Sequence, residues 1–118
     1  MPYIVHRDEV SPKNENGIGW ERLDLIGEAI SSQIGANFEL LILEAGEATP
    51  MHQHEDCEHY LFVLQGEGLL ELEDGEHPIG PNYLISVEPG ERHAVRNSDQ
   101  NRLEILEFLI AGSGSPAS

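Results

Sequence analysis

The sequence predicts an all-β protein, either a barrel or a double-sheet jelly roll. Three observations carry this expectation. Apolar residues gather in runs of strand length, such as F-E-L-L-I-L at 38–43 and Y-L-F-V-L at 60–64; Gly, Pro and Asp-Gly turns separate those runs; and no segment sustains a convincing helical period. Short strands punctuated in this way pack as facing sheets around one core.

Size and composition bound the class. A chain of 118 residues with 39% apolar content, three Phe, three Tyr and one Trp supports one domain with a modest core. Its 22 acidic against six basic residues give a formal charge of −16, spread along the chain rather than gathered in a tail. Such a surface repels nucleic acid and anionic membrane, so neither is expected as a partner. It reads first as a solvated acidic exterior, and second, given the single lysine Lys13, as adaptation to a salty cytoplasm. No stretch approaches the ~18 apolar residues of a membrane span, and the opening M-P-Y-I-V-H-R-D lacks the order of an export signal. The single cysteine, Cys57, excludes an intramolecular disulfide and suits a reducing compartment, so a cytoplasmic location is expected.

Taken in order, residues 3–6 read as a short leading strand, followed by a loop through Pro12, Gly17 and Gly19, with His6 a surface residue. Over 20–34, Leu23, Ile26, Ala29 and Ile30 have a weak helical spacing that Gly27, Ser31 and Ser32 oppose, which leaves the stretch open. Residues 38–43 predict a largely buried strand. Residues 60–64 are apolar on both parities, Leu61 and Val63 facing one way and Tyr60, Phe62 and Leu64 the other. A small barrel encloses one such face; the other must meet a second sheet or subunit, and a homodimer is expected. Residues 69–73 and 76–79 flank Asp74-Gly75 as a hairpin with a type I′ turn, and His77, beside Pro78, is read as exposed on an edge. Gly80-Pro81-Asn82 leads into a strand at 83–87, Pro89-Gly90 into one at 93–95, and 103–110 forms the last. The ending G-S-G-S-P-A-S has the composition of a flexible tail.

The chemistry concentrates in residues 46–66, G-E-A-T-P-M-H-Q-H-E-D-C-E-H-Y-L-F-V-L-Q-G, which place His52, His54 and His59 within eight residues. Alternate strand residues share a face, so His52 and His54 can aim at one point. A second segment, E-P-G-E-R-H-A-V-R-N at 88–97, adds His93 after a Pro-Gly turn. Imidazole nitrogen suits Zn, Cu, Fe or Ni, and Mn in an octahedral site. One divalent transition ion is therefore expected, of undecided identity, held by His52, His54, His59 and His93 with positions left open for catalysis.

These segments resemble the two motifs of the cupins. Gly46, His52, His54 and Gly66 fall in register with G-x5-H-x-H-x3,4-E-x6-G, and Gly90, His93 and Asn97 with the later half of P-x-G-x2-H-x3-N. Three positions depart: Pro89 comes one residue late, Asn82 stands where the second motif opens with glycine, and His59 stands where the first has glutamate. The spacing leaves two neighbours for that third ligand. Counting forward from His54 selects Glu58; counting back from Gly66 along a rigid pleat selects His59, which is preferred.

The resemblance implies a small single-domain cupin with a jelly-roll (double-stranded β-helix) barrel over residues 38–110. It would be preceded by N-terminal strands and loops over 1–37 that can pack on a partner subunit, and followed by a tail at 111–118. It further implies a metal-dependent enzyme acting on a small organic molecule, first an oxygenase of dioxygenase type. The alternatives are a non-redox isomerase, cyclase or lyase that stabilises an enolate, and a non-catalytic binding or sensing barrel. Glu58, adjacent to His59, is the expected base or hydrogen-bond partner beside the metal, while Arg96 and Gln65 are candidates to reach the cavity and hold an anionic or hydroxylated substrate. Cys57 has no basic neighbour to lower its pKa and is not expected to act as a nucleophile.

Overall fold

The computed structural model describes residues 3–12, 20–53, 55 and 57–111. Among them lie β1 (Glu21–Asp24), α1 (Gly27–Ile34), β2 (Ala36–Leu43), β3 (Cys57–Gln65), β4 (Gly68–Leu72), β5 (Gly75–Ile79), β6 (Leu84–Val87), β7 (His93–Arg96) and β8 (Leu103–Ala111). They form a five-stranded sheet in the order β1-β2-β8-β3-β6 and a three-stranded sheet in the order β5-β4-β7, with every pair antiparallel. Single bridges from Ala48 to Arg96 and from His52 to His93 lay the segment after β2 along β7 and continue the smaller sheet. This is the all-β jelly roll that the sequence predicts.

Alternation along the strands builds the core between the sheets. Leu41, Leu43, Leu61, Val63, Leu103 and Ile105 point inward from the larger sheet and meet Leu70, Ile79 and Val95 from the smaller one. Burying side chains of this size stabilises the fold by roughly 1.5–3 kcal/mol each. The outward face of β1 and β2 carries a second cluster, Leu23, Leu40 and Ile42, covered by Val10 and Leu25. Arg7 pins that N-terminal segment by a two-pronged bond to the buried Glu104 carboxylate at 2.8 and 3.1 Å. The rest of the face is less covered. On β3 and β6 the side chains of Leu64 and Leu84 are 44% and 63% exposed, so the described residues shield only part of the two-sided apolar sheet.

Several local expectations are corrected. Residues 3–6 form no strand; they run extended into a 3-10 turn at Arg7–Glu9 that the exposed His6 caps. The segment at 20–34, read without a firm element, is β1 followed by α1. The Asp24 carboxylate accepts from the Gly27 and Ile26 amides at 3.0 and 3.3 Å, and Gly35 at φ 68 closes the helix, which offsets the poor propensity of its glycine and serines. In the β4–β5 hairpin Leu72 pairs directly with Gly75, so Glu73 and Asp74 make the turn. Neither has the positive φ of a type I′ turn; Gly75, at φ 134, supplies the unusual conformation instead. Upstream of residue 38, where N-terminal strands are expected, β1 pairs along β2. The expected tail, apart from Ala111, lies outside the described residues.

Two turns explain motif positions. Gly66, at φ 88, has no room for a side chain: a Cβ there would sit 2.3 Å from the Arg102 carbonyl oxygen. Asn82, standing where glycine opens the second motif, adopts φ 71, a left-handed conformation that asparagine tolerates better than most residues. Asn97 is fully buried, and its amide donates to the carbonyls of Leu43 and Asn101 at 2.9 and 2.8 Å, tying the β7–β8 connection to the end of β2.

Candidate functional site: a histidine cluster backed by buried carboxylates

Three of the four expected ligands converge. His52 and His93 exchange backbone hydrogen bonds at 2.9 and 2.8 Å, and residues paired in this way point their side chains to the same face. Their ring centroids lie 4.2 Å apart. His59 approaches from β3 in the facing sheet, 4.8 Å from the His93 ring and 6.4 Å from that of His52. His59 and His93 are almost fully buried, while His52 is half-exposed at the rim. His54 lies outside the described residues.

Backbone carbonyls set the chemistry of two rings. His52 Nδ1 lies 2.7 Å from the Pro50 oxygen, and His93 Nδ1 lies 3.0 Å from the Glu91 oxygen. A carbonyl only accepts, so each Nδ1 carries a proton, and in the neutral ring the lone pair is on Nε2.

The carboxylate beside the cluster is not Glu58. Alternation puts Glu58 on the outer side of β3, where the Tyr60 hydroxyl donates to it, while His59 points inward opposite Leu109 and Val87. Glu58, expected as a base or hydrogen-bond partner beside the metal, thus faces away from the three described histidines. Instead Glu107 of β8 bonds the His59 Nε2. Glu107 in turn stands directly opposite Glu39 on β2, and Glu39 opposite Asp24 on β1. Arg22 Nε lies 3.5 Å from the Glu39 carboxylate, and the Asn37 amide donates to it at 3.3 Å. Burial pushes the Glu39 carboxyl up to about 7, with Glu107 and Asp24 reinforcing the shift and Arg22 opposing it.

Other candidates fall elsewhere. Arg96 is held by Glu76, with Glu71 at 3.9 Å, on the β4–β5 side, and Gln65 is exposed. His77 is exposed and paired with Asp74 at 2.9 Å, as its edge position implies. A surface cleft of about 400 Å³ lined by Arg7, Val10, Leu23, Ile42 and Arg102 lies on the outer side of the larger sheet; its two arginines are already paired with Glu104 and Glu44.

The inward Glu39, Glu107 and Arg22 are absent from the motif reading. Their signal is faint but physical: a charged residue inside an otherwise apolar run, as in F-E-L-L-I-L or L-E-I-L-E-F-L, must either face out or find a buried partner. Parity alone did not say which.

A jelly-roll barrel with histidines converging between its sheets defines a class, and comparison with known proteins gives it a name. The model of the cupin domain (Cupin_2) matches residues 39–109, and the chain belongs to the cupin family. An oxalate-binding protein of Thermotoga maritima is 24% identical over 112 residues, covering 91% of this chain and 93% of its own. Among solved structures, a protein of the same organism described as a predicted oxalate decarboxylase superposes with a TM-score of 0.83 at 23% identity, over 92% of this chain and 99% of that one. The polyketide cyclase RemF of Streptomyces resistomycificus gives 0.80 at 25% identity, over 93% and 80%. No helix among the described residues is long and apolar enough to cross a membrane.

Proposed function

We propose that this chain is a metal-dependent cupin enzyme that moves protons on a small, oxygen-rich organic acid or carbonyl compound, in the manner of an isomerase, cyclase or lyase. The observation that carries the reading is the buried row Glu39–Glu107–His59, a proton-holding pair of carboxyls joined to one of three converging imidazoles. The donor set fits a divalent transition ion, Mn, Fe, Ni, Cu or Zn, with His52, His59 and His93 as ligands, and His54 completes it by the H-x-H pattern. Such an ion supplies a Lewis acid that polarises a carbonyl or carboxylate oxygen.

The chain's own residues do the rest. His52 is the most exposed of the three described histidines. Leu61, Val87 and Ile85 line the interior near His59 and keep water out. Glu39, with its carboxyl near neutrality, holds a proton beside Glu107, which leaves the Glu107 carboxylate as the acceptor for the His59 Nε2–H. Arg22 limits the negative charge that three aligned carboxylates would otherwise build up. Similarity to an oxalate-binding protein and to a polyketide cyclase agrees with small oxygenated substrates. A second reading, an oxygenase of dioxygenase type, is favoured by the all-imidazole donor set, which suits iron or copper.

Turnover of a panel of small dicarboxylic and 2-oxo acids by protein loaded with each metal, with and without oxygen, tests the proposal. Product formation that survives anaerobiosis supports proton chemistry. Strict consumption of oxygen with substrate overturns it in favour of the oxygenase, and metal-dependent ligand retention without product overturns both in favour of a binding barrel. We also propose that the chain works as a homodimer through the exposed outer face of β3 and β6.

A further inference from the structure

We infer that Glu107 is a positioning residue for His59: by accepting the Nε2 proton it holds the ring in the tautomer whose lone pair sits on Nδ1, so that His59 enters the cluster through the opposite nitrogen from His52 and His93. The consequence for metal binding rests on the function proposed above; the tautomer itself belongs to the chain alone.

The geometry is specific. Glu107 lies opposite Leu61 in the β3–β8 ladder, one inward position along from the Leu109 that faces His59, so carboxylate and ring meet diagonally on one face. An ionised carboxylate only accepts, and a neutral imidazole has one N–H and one lone pair, so the nitrogen touching Glu107 is the protonated one. Both side chains are nearly cut off from water, at 2% and 8% exposure, where a charge-assisted bond is stronger than at the surface. His52 and His93 are hooked at Nδ1 by neutral carbonyls, which leaves Nε2. Two hooks of different kind therefore set two different donor atoms. Where the cupin motif has a glutamate, this chain has His59, and Glu107 returns a carboxylate to that corner from β8, one layer behind the ring. A carboxylate in that place raises the basicity of the imidazole as a ligand.

Long-range proton–nitrogen correlation spectra of metal-free protein at about pH 8, above the ordinary imidazole range, read the tautomers directly. His59 protonated at Nε2, with His52 and His93 protonated at Nδ1, is the expected pattern; His59 protonated at Nδ1 overturns the inference. Zinc affinity, measured by competition with a chelator, gives the second readout. Glu107→Leu should weaken zinc binding about 10–100-fold while circular dichroism stays unchanged, and Glu107→Gln, which keeps an acceptor, should recover most of it. Glu107→Leu binding zinc as tightly as the parent overturns the positioning role. If Glu107→Leu does not fold, the parent spectrum and Glu107→Gln decide. Parent protein that binds no zinc or other divalent ion defeats the proposed function, and the tautomer pattern still decides this inference.

Discussion

Glu39 and Glu107 stand directly opposite each other across β2 and β8, both turned into the barrel and both buried. Two carboxylates so placed cannot both be ionised cheaply, and the pair keeps a proton near neutral pH. The groups facing Glu39 are Arg22 and Asp24 from β1, Asn37 from its own strand and Glu107 from β8.

That proton couples stability to pH. The folded carboxyl of Glu39 lies at about 7 against an ordinary value of 4.5, so the folded chain binds the proton more tightly than the unfolded one. Stability from this group is present at low pH, falls as pH rises through the window between those values, and is lost above it, by at most about 2–3 kcal/mol. Melting temperatures of metal-free protein and of Glu39→Gln across that window check this: the difference between them should narrow or reverse as pH rises, and parallel curves would contradict it.

Gly66 and Gly46 share a left-handed backbone but not their surroundings. A Cβ at Gly66 collides with the backbone of Arg102 and Leu103, whereas Gly46 has nothing within 4 Å. Gly66→Ala should cost about 3 kcal/mol or more, and Gly46→Ala only the backbone penalty of about 1–2 kcal/mol. Chemical denaturation of the two variants measures the gap.

The exposed Leu84 lies opposite Phe62 on the outer face of the larger sheet, beyond the reach of the N-terminal cover over β1 and β2. Sedimentation of the parent protein at micromolar concentration should show a dimer, and Leu84→Glu should shift it to monomer without loss of secondary structure. A monomeric parent would contradict the assembly.

Much of this architecture was legible in the sequence, because burial leaves a period. The runs at 38–43, 60–64 and 103–110 became β2, β3 and β8, and the glycine and asparagine positions of the motifs became turns. Parity also separated His59 from Glu58, since one residue of slip reverses every side chain of a strand. What stayed hidden depends on pairing between distant segments. The reciprocal bonds of His52 with His93, the row Asp24–Glu39–Glu107 and the contact of Glu107 with His59 join residues from separate strands, and no local pattern encodes which charged residue of a run turns inward. The helix α1 was hidden for another reason: its ends are fixed by Asp24 and Gly35, single residues that no apolar period marks.

The proposed metal centre is made of the converging histidines, His59 included. It is tested most directly by the metal content of parent, His59→Ala and Glu58→Ala proteins purified identically and shown to be folded by circular dichroism. The inward His59 lies 4.8 Å, ring to ring, from His93, and Glu58 sits on the far side of the strand with Tyr60. His59→Ala should lose most of the bound ion and Glu58→Ala should keep it; retention by His59→Ala with loss by Glu58→Ala would contradict the account.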